Sequence, residues 1–306
     1  MRQAIDEKRR MTAADSGAYF SVVATSVIIV NLLVSSLFIA IFGENDGNNA
    51  FYKSDAYSYL SFSLGSIILC AVTAVYLGVA KIDRKSALKL NKVTPKYYLF
   101  ALLALFACVT GLSGLNETFI NFLIKHVGYK PVETVLPSLT PLNYCLTVLC
   151  VCVLPAAFEE FAFRGALLGG LDGVKPIPTA LVTGFAFSVF HMNPAQTPYQ
   201  FVVGFTFALL ALSSGSVFPS CAAHFLNNFI IINVSYFGAG EIVVSPPVNV
   251  LLTVTGLLAF AAFVIICVND LRKRNVTSEN GGMKKFLLYG LAGFAFCLIV
   301  WISGLL

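Results

Sequence analysis

The chain has 306 residues, of which 58% are hydrophobic and only 11% are charged. A soluble domain carries about 25% charged residues, so this composition excludes an ordinary soluble enzyme and predicts a polytopic membrane protein. The net charge of +5 comes mainly from short basic segments between apolar runs. That distribution argues against nucleic acid as a partner and for a lipid bilayer.

Nine apolar stretches predict helices that cross the membrane. A crossing helix needs about 20 apolar residues, and the dyad pattern of a transmembrane β-barrel is absent. We therefore predict an all-α fold, a polytopic membrane helical bundle of about eight or nine transmembrane helices. The fifth and seventh stretches are short and contain polar residues. The predicted spans cover residues 18–42, 57–80, 97–115, 142–169, 177–192, 199–217, 219–236, 247–268 and 285–306.

The polar residues inside these spans divide the chain into three segments. Residues 1–141 are predicted to form a transmembrane scaffold of three spans, and residues 237–306 to form the C-terminal spans. Residues 142–236 lie between them and contain the ionisable residues found in the centres of the spans. We expect this central segment to be the functional core.

The basic residues predict the orientation of the chain. Of the 20 Lys and Arg, 15 lie in the first ten residues, in 81–96 and in 269–285. With the N-terminus in the cytoplasm, both later segments follow an even number of spans and return there, as the positive-inside rule expects. The short loops favour a bacterial cell membrane. Loop 44–56 and loop 116–141, which contains His126, would lie on the outer side.

The fourth span ends with two adjacent acids and an arginine. Ionisable groups in a membrane span cost at least about 2.5–3.5 kcal/mol each and commonly mark a functional site. Glu160 and Arg164 are four residues apart, so they share one helix face and can form an ion pair. Glu159 is rotated by about 100° and is free to point elsewhere. A structural charge pair or a proton relay would also explain this element taken alone.

Two further spans carry the imidazoles. His191 follows Phe187 by one helical turn, so the aromatic ring can cover the imidazole. His224 and Asn228 are also four residues apart and share a face, whereas Asn227 is rotated off it. His191 could instead be a simple helix-end residue, and His224 with Asn228 could form hydrogen bonds between helices. His126, the third histidine, is assigned no role.

The ordered motifs EExxxR, FxxxH and HxxxN resemble those of the CPBP family of intramembrane proteases, also called the Abi or Rce1-like family. They correspond here to residues 159–164, 187–191 and 224–228. The resemblance covers about 142–236, and the flanking spans match only as generic membrane helices. It implies hydrolysis of peptide bonds at a site inside a helical bundle, open to the cytoplasmic side.

The chemistry of these side chains, matched to the family, implies a role for each. Glu159 would be the general base that accepts a proton from water, and His191 would orient that water. His224 and Asn228 would donate to the tetrahedral oxyanion. Arg164 would keep Glu160 ionised.

The sequence leaves a zinc ion open. Glu159, His191 and His224 could supply three ligands with a fourth position free, and the family is commonly described as metalloproteases. However, there is no HExxH motif, and the three ligands come from separate helices. Asn228 beside His224 fits an oxyanion pair better than a zinc environment. The sequence therefore favours a glutamate-activated water without a metal.

Two other functions remain open alternatives. A proton-coupled transporter could use Glu159, Glu160 and His191 as a relay, but transporters commonly contain inverted repeats and none is evident. A non-enzymatic membrane scaffold or immunity protein could use the same fold, although intact motifs argue against it. The eukaryotic relatives cleave prenylated CAAX tails, whereas peptides or membrane proteins are the expected substrates here.

Overall fold

A computed structural model describes residues 8–131, 135–238, 245–273 and 281–305. The described residues form ten helices, which confirms the predicted all-α bundle. A single 3₁₀ turn, Pro194–Gln196, leads into the seventh. The helices are α1 Ala13–Phe42, α2 Asp55–Val79, α3 Arg84–Ala87, α4 Lys96–Val127, α5 Pro141–Leu167, α6 Pro176–Phe190, α7 Thr197–Ser214, α8 Phe218–Tyr236, α9 Pro246–Arg272 and α10 Gly282–Ser303.

Each of the nine predicted spans corresponds to one of these helices. Within the described ranges, seven helices are long and apolar enough to cross a membrane: α1, α2, α4, α5, α7 with its 3₁₀ turn, α9 and α10. The other two, α6 and α8, are the predicted fifth and seventh spans. At 1.5 Å per residue, the 15 residues of α6 reach about 22 Å. This is shorter than the roughly 30 Å hydrocarbon core of a bilayer.

Helix α4 corrects one boundary. The sequence placed the end of this span at 115 and assigned 116–141 to a loop, but the helix continues to Val127 and ends at Gly128 in the left-handed conformation. His126 therefore lies in the last helical turn and not in a loop. The polar pair Asn116-Glu117 suggested an end, yet the residues after it keep an apolar helical face. Leu123 on that face is buried, which explains why the helix persists.

Helix pairs approach closely where glycines meet. A Cβ on Gly256 of α9 would lie 2.3 Å from the backbone nitrogen of Gly111 on α4. A Cβ on Gly17 of α1 would lie 2.3 Å from the carbonyl oxygen of Phe286 on α10. Small residues allow such contact between membrane helices, where packing replaces the hydrophobic effect as a driving force. The last helix is therefore an integral part of the bundle, packed along α1.

The basic segments gather at one end of the bundle. The backbone of Arg9 bonds to that of Lys81 and Asp83, at 3.0 and 2.9 Å. Lys96 forms an ion pair with Asp270, 3.0 Å apart, near the end of α9. The N-terminal segment, the α2–α4 connection and the end of α9 thus share one face, as the span count requires. Which side of the membrane this face meets stays a prediction.

Candidate active site

Helix α5 carries the two acids on an irregular backbone. Its regular turns, Leu154–Glu160, lie between two π-helical segments, Val148–Val153 and Phe161–Leu167. Pro155 lies at the start of the regular turns and has no backbone N–H donor. The first π segment ends at Val153, two residues before this proline. Wide turns of this kind are frequent at functional sites, and here they flank Glu159 and Glu160 on both sides.

The predicted ion pair is present and deeply buried. Arg164 Nη1 lies 2.9 Å from Glu160 Oε1, and the two side chains are 1% and 0% exposed. Arg164 Nη2 also donates to the carbonyl oxygen of Gly204 at 3.2 Å. The guanidinium carbon lies 4.1 Å from the centre of the Phe187 ring, within the range of a cation–π contact. Arg164 therefore joins α5 to both α6 and α7.

The close crossing of α6 and α7 makes this contact possible. A Cβ on Gly204 would lie 2.9 Å from the Cα of Gly184, so only glycine allows the two backbones to approach so closely. The approach leaves the carbonyl of Gly204 within reach of Arg164. Gly184 and Gly204, which have no side chains to react, thus help to position the buried guanidinium of Arg164.

His224 is oriented by Glu160. Its Nδ1 lies 2.9 Å from Glu160 Oε1, and the ring is almost fully buried. An ionised carboxylate only accepts hydrogen bonds, so Nδ1 carries a proton. This fixes the tautomer and directs Nε2 towards the second acid, Glu159. The predicted pair of Glu160 with Arg164 is present, and Glu160 contacts His224 as well.

His191 is oriented by its own helix. Its Nδ1 lies 2.7 Å from the carbonyl oxygen of Phe187, which again only accepts. The neutral ring therefore presents the lone pair of Nε2 to the site. The Phe187 ring lies beside the imidazole with centroids 4.6 Å apart, as the spacing predicted.

Glu159 faces both imidazoles. Its Oε2 lies 4.0 Å from Nε2 of His191 and 4.0 Å from Nε2 of His224. A gap of that size can be bridged by one water at about 2.8 Å from each atom. The side chains of Glu159 and His191 are 18% and 19% exposed, so the site is not sealed. The structure therefore brings the three predicted motifs together at one point.

Asn228 forms hydrogen bonds with a neighbouring residue of α8 and with the backbone of α5. Its Nδ2 donates to the carbonyl oxygen of Val151, 2.9 Å away in the first π segment, and its Oδ1 accepts from Asn227 at 3.2 Å. An amide nitrogen has two N–H donors. Within the described residues, the bond to Val151 uses one of them.

Three contributing residues were missed from the sequence. Tyr199 donates to Asn227 at 2.7 Å, and Gly204 accepts from Arg164. Asn227 was set aside because it is rotated off the His224 face, yet it is buried and bonded to Asn228. A polar residue on the apolar α8 is the signal that could have marked Asn227, whereas no local spacing marks Tyr199 or Gly204.

The distances between the predicted zinc ligands do not match those of a tetrahedral zinc site. Tetrahedral ligands about 2.0–2.1 Å from zinc lie about 3.4 Å from one another, whereas Glu159 Oε2 is 4.0 Å from each Nε2. Throughout the ranges that the structure describes, no three His, Cys, Asp or Glu side chains form a group that could hold a metal ion. We therefore derive no catalytic step through a metal, and the zinc ligands Glu159, His191 and His224 stay a prediction.

Comparison with known proteins identifies the central segment. A family model described as type II CAAX prenyl endopeptidase Rce1-like matches residues 141–230, a segment that contains all three motifs. No curated protein and no solved structure matches the chain. The family match supports a protease with peptide substrates, and the apolar helices support a multi-pass membrane protein. The predicted resemblance to the CPBP intramembrane proteases is thus confirmed, and it rests on the similarity of residues 141–230 to the Rce1-like family model.

Proposed function

We propose that this protein is an intramembrane endopeptidase that uses a glutamate-activated water. The observation that carries the proposal is the position of Glu159, whose Oε2 is 4.0 Å from Nε2 of both His191 and His224. A carboxylate facing two oriented imidazoles in a partly exposed, largely apolar site is suited to activating water. The family match supports the same reaction type.

We assign different roles to the two histidines. A bound water has two protons to donate, and in this scheme Glu159 Oε2 and His191 Nε2 would accept them, while His224 faces the carbonyl oxygen of the substrate. These two groups would orient its oxygen towards a peptide carbonyl. Glu159 takes one proton as the water oxygen bonds to the carbonyl carbon, and it then delivers that proton to the amine as the C–N bond breaks.

The oxyanion would be stabilised from α8. His224 can donate from Nε2 when it is an imidazolium, and the Glu160 carboxylate accepts from its Nδ1. A carboxylate supports the catalytic histidine of serine proteases in the same way. The remaining N–H of Asn228 would be a second donor. Each such donor is worth about 10²–10³ in rate when it is well placed.

The substrates would be peptides or proteins associated with the membrane, because the site is carried on helices surrounded by apolar surface. We further propose a cytoplasmic N-terminus and a bacterial cell membrane, from the distribution of basic residues. Comparing membrane-associated peptides from cells that express wild type or Glu159→Gln would find candidates. Uncut precursors should accumulate with the variant and then be cleaved by the purified wild-type protein in nanodiscs.

The direct test uses a matched pair of substitutions. Glu159→Gln should lower kcat by at least about 10²-fold, the usual contribution of a general base, with unchanged thermal unfolding. Glu117→Gln on the exposed face of α4 makes the same chemical change and should leave kcat unaltered. Full cleavage by Glu159→Gln would contradict the proposal and favour a scaffold role. Proton flux through proteoliposomes that depends on Glu159, without cleavage, would favour the transporter alternative.

Metal dependence needs its own measurement. We propose catalysis without zinc, so purified protein that contains no zinc by elemental analysis should cleave at the full rate, with phenanthroline present or absent. Loss of activity in phenanthroline, restored by added zinc, would contradict this proposal and favour a mechanism in which Glu159 and the histidines act on a metal-bound water.

A further inference from the structure

A chain of partly buried hydrogen bonds leads to Asn228 from outside the three motifs. Tyr199, in the first turn of α7, donates to Oδ1 of Asn227 at 2.7 Å. Asn227 Nδ2 donates to Asn228 Oδ1 at 3.2 Å, and Asn228 Nδ2 donates to the carbonyl of Val151 at 2.9 Å. The chain thus crosses from α7 through α8 to the first π segment of α5.

The direction of this chain matters because an amide has two different ends. Tyr199 uses its only proton in the bond to Asn227, so the oxygen of Asn227 faces the phenol and its NH₂ faces Asn228. The oxygen of Asn228 must then face Asn227, and its NH₂ faces α5. At the other end, the carbonyl of Val151 can only accept, which favours the same orientation.

Reversing one amide would change what the site presents. If Asn227 rotated by 180°, its oxygen would meet the oxygen of Asn228, and this repulsion would favour rotation of Asn228 as well. Asn228 would then present an acceptor oxygen where an oxyanion needs an N–H donor. A buried polar group left with the wrong partner is costly, so the orientation depends on every bond in the chain.

We propose that Tyr199 and Asn227 are positioning residues, which hold the Asn228 amide with an N–H directed at the reacting carbonyl. This rests on the proposed peptidase function, and it assigns a positioning role to the buried Asn227 and the partly buried Tyr199, which the motifs do not include. Neither residue needs to touch the substrate. Their effect should therefore appear in the rate of the chemical step and not in substrate binding.

The chain offers a matched control for the test. Tyr144 of α5 donates to Oδ1 of Asn233 on α8 at 3.1 Å, which is the same pair of residue types joining α8 to a neighbouring helix. Tyr199→Phe and Tyr144→Phe each remove one phenolic oxygen and one such bond. Any general effect of losing a tyrosine–asparagine contact should appear in both variants.

The measurements are kcat, KM and thermal unfolding with one membrane peptide. Tyr199→Phe should lower kcat about five- to tenfold, the scale of one hydrogen bond, with KM within about twofold of wild type. Tyr144→Phe should leave kcat unchanged. In an Asn228→Ala background, Tyr199→Phe should have no further effect on kcat, because residues that act through one group are not additive.

Asn227→Ala, compared with Asn233→Ala, provides the same test if Tyr199→Phe folds poorly. An unchanged kcat in the folded Tyr199→Phe and Asn227→Ala variants would overturn the positioning role. The positioning role would also be overturned if Tyr199→Phe lowered kcat by the same factor in the Asn228→Ala background as in wild type. Glu159→Gln separates the two proposals. If the positioning role is overturned by either result while Glu159→Gln is inactive, the peptidase function stands without this positioning role. If Glu159→Gln is fully active, both proposals fall.

Discussion

Replacing Arg164 with methionine tests the most deeply buried electrostatic contact. Methionine keeps the apolar stem but removes the hydrogen bonds to Glu160 and to the carbonyl of Gly204, which are 2.9 and 3.2 Å long. It also removes the cation from the face of Phe187. Glu160, which is 0% exposed, would then lose its cation and keep hydrogen bonds to His224 and Ser220.

The magnitude follows from the burial of the remaining charge. Breaking a buried pair by removing one partner costs about 3–5 kcal/mol, because an uncompensated charge stays in the interior. Replacing both partners by neutral groups is often close to neutral. Arg164→Met should therefore lower the free energy of unfolding by about 3–5 kcal/mol, whereas Glu160→Gln/Arg164→Met should recover most of that loss.

Trp301 is the only tryptophan in the chain and reports on unfolding by fluorescence. SDS titration in mixed micelles would give the free energies of wild type, both single variants and the double variant. Arg84→Met, at an exposed position, is the control and should change stability by less than about 0.5 kcal/mol. Additive losses in the double variant, or a loss below about 1 kcal/mol in Arg164→Met, would show that the pair is not coupled as the distances imply.

Two further predictions concern the scaffold. Gly169→Ala places a Cβ 2.5 Å from the carbonyl oxygen of Ala87, so overpacking should lower the free energy of unfolding by about 1–3 kcal/mol. In the control Gly114→Ala, a Cβ meets nothing within 4 Å, so this variant should be at least as stable as wild type. The same free energy of unfolding for the two variants would contradict the reasoning. Thr12 and Asp15 form a capping box at the start of α1, so Thr12→Ala should cost about 0.5–2 kcal/mol in the same titration, and no change would show that the cap is dispensable.

The helices could be predicted from the sequence because a bilayer imposes a length and a composition on each crossing. The boundaries were less predictable where a helix leaves that environment. The polar pair before Phe119 suggested that α4 ends, but packing of the next turns against Tyr129 and Ala195 keeps the helix intact. The π segments of α5 were not predictable either, since periodicity fixes which residues share a face and not how wide each turn is.

The site could be predicted only as far as local spacing reaches. Residues four apart in a helix must be neighbours, so the Glu160–Arg164 pair and the position of Phe187 beside His191 followed directly. The contact of Arg164 with Gly204 spans 40 residues and that of Asn228 with Val151 spans 77. Such contacts depend on how α5, α7 and α8 pack, which no local pattern in one sequence contains.

Charge balance connects the site to its proposed chemistry. Two carboxylates and one guanidinium, those of Glu159, Glu160 and Arg164, leave an excess negative charge in a largely buried cluster. A buried charge is strongly disfavoured unless a partner neutralises it, and the nearest candidates are the two imidazoles. His224 lies between both acids, with Nδ1 on Glu160 and Nε2 facing Glu159, whereas His191 faces Glu159. In the proposed reaction His224 is also a donor to the tetrahedral oxyanion, so the same side chain would connect the buried acids to the reacting carbonyl.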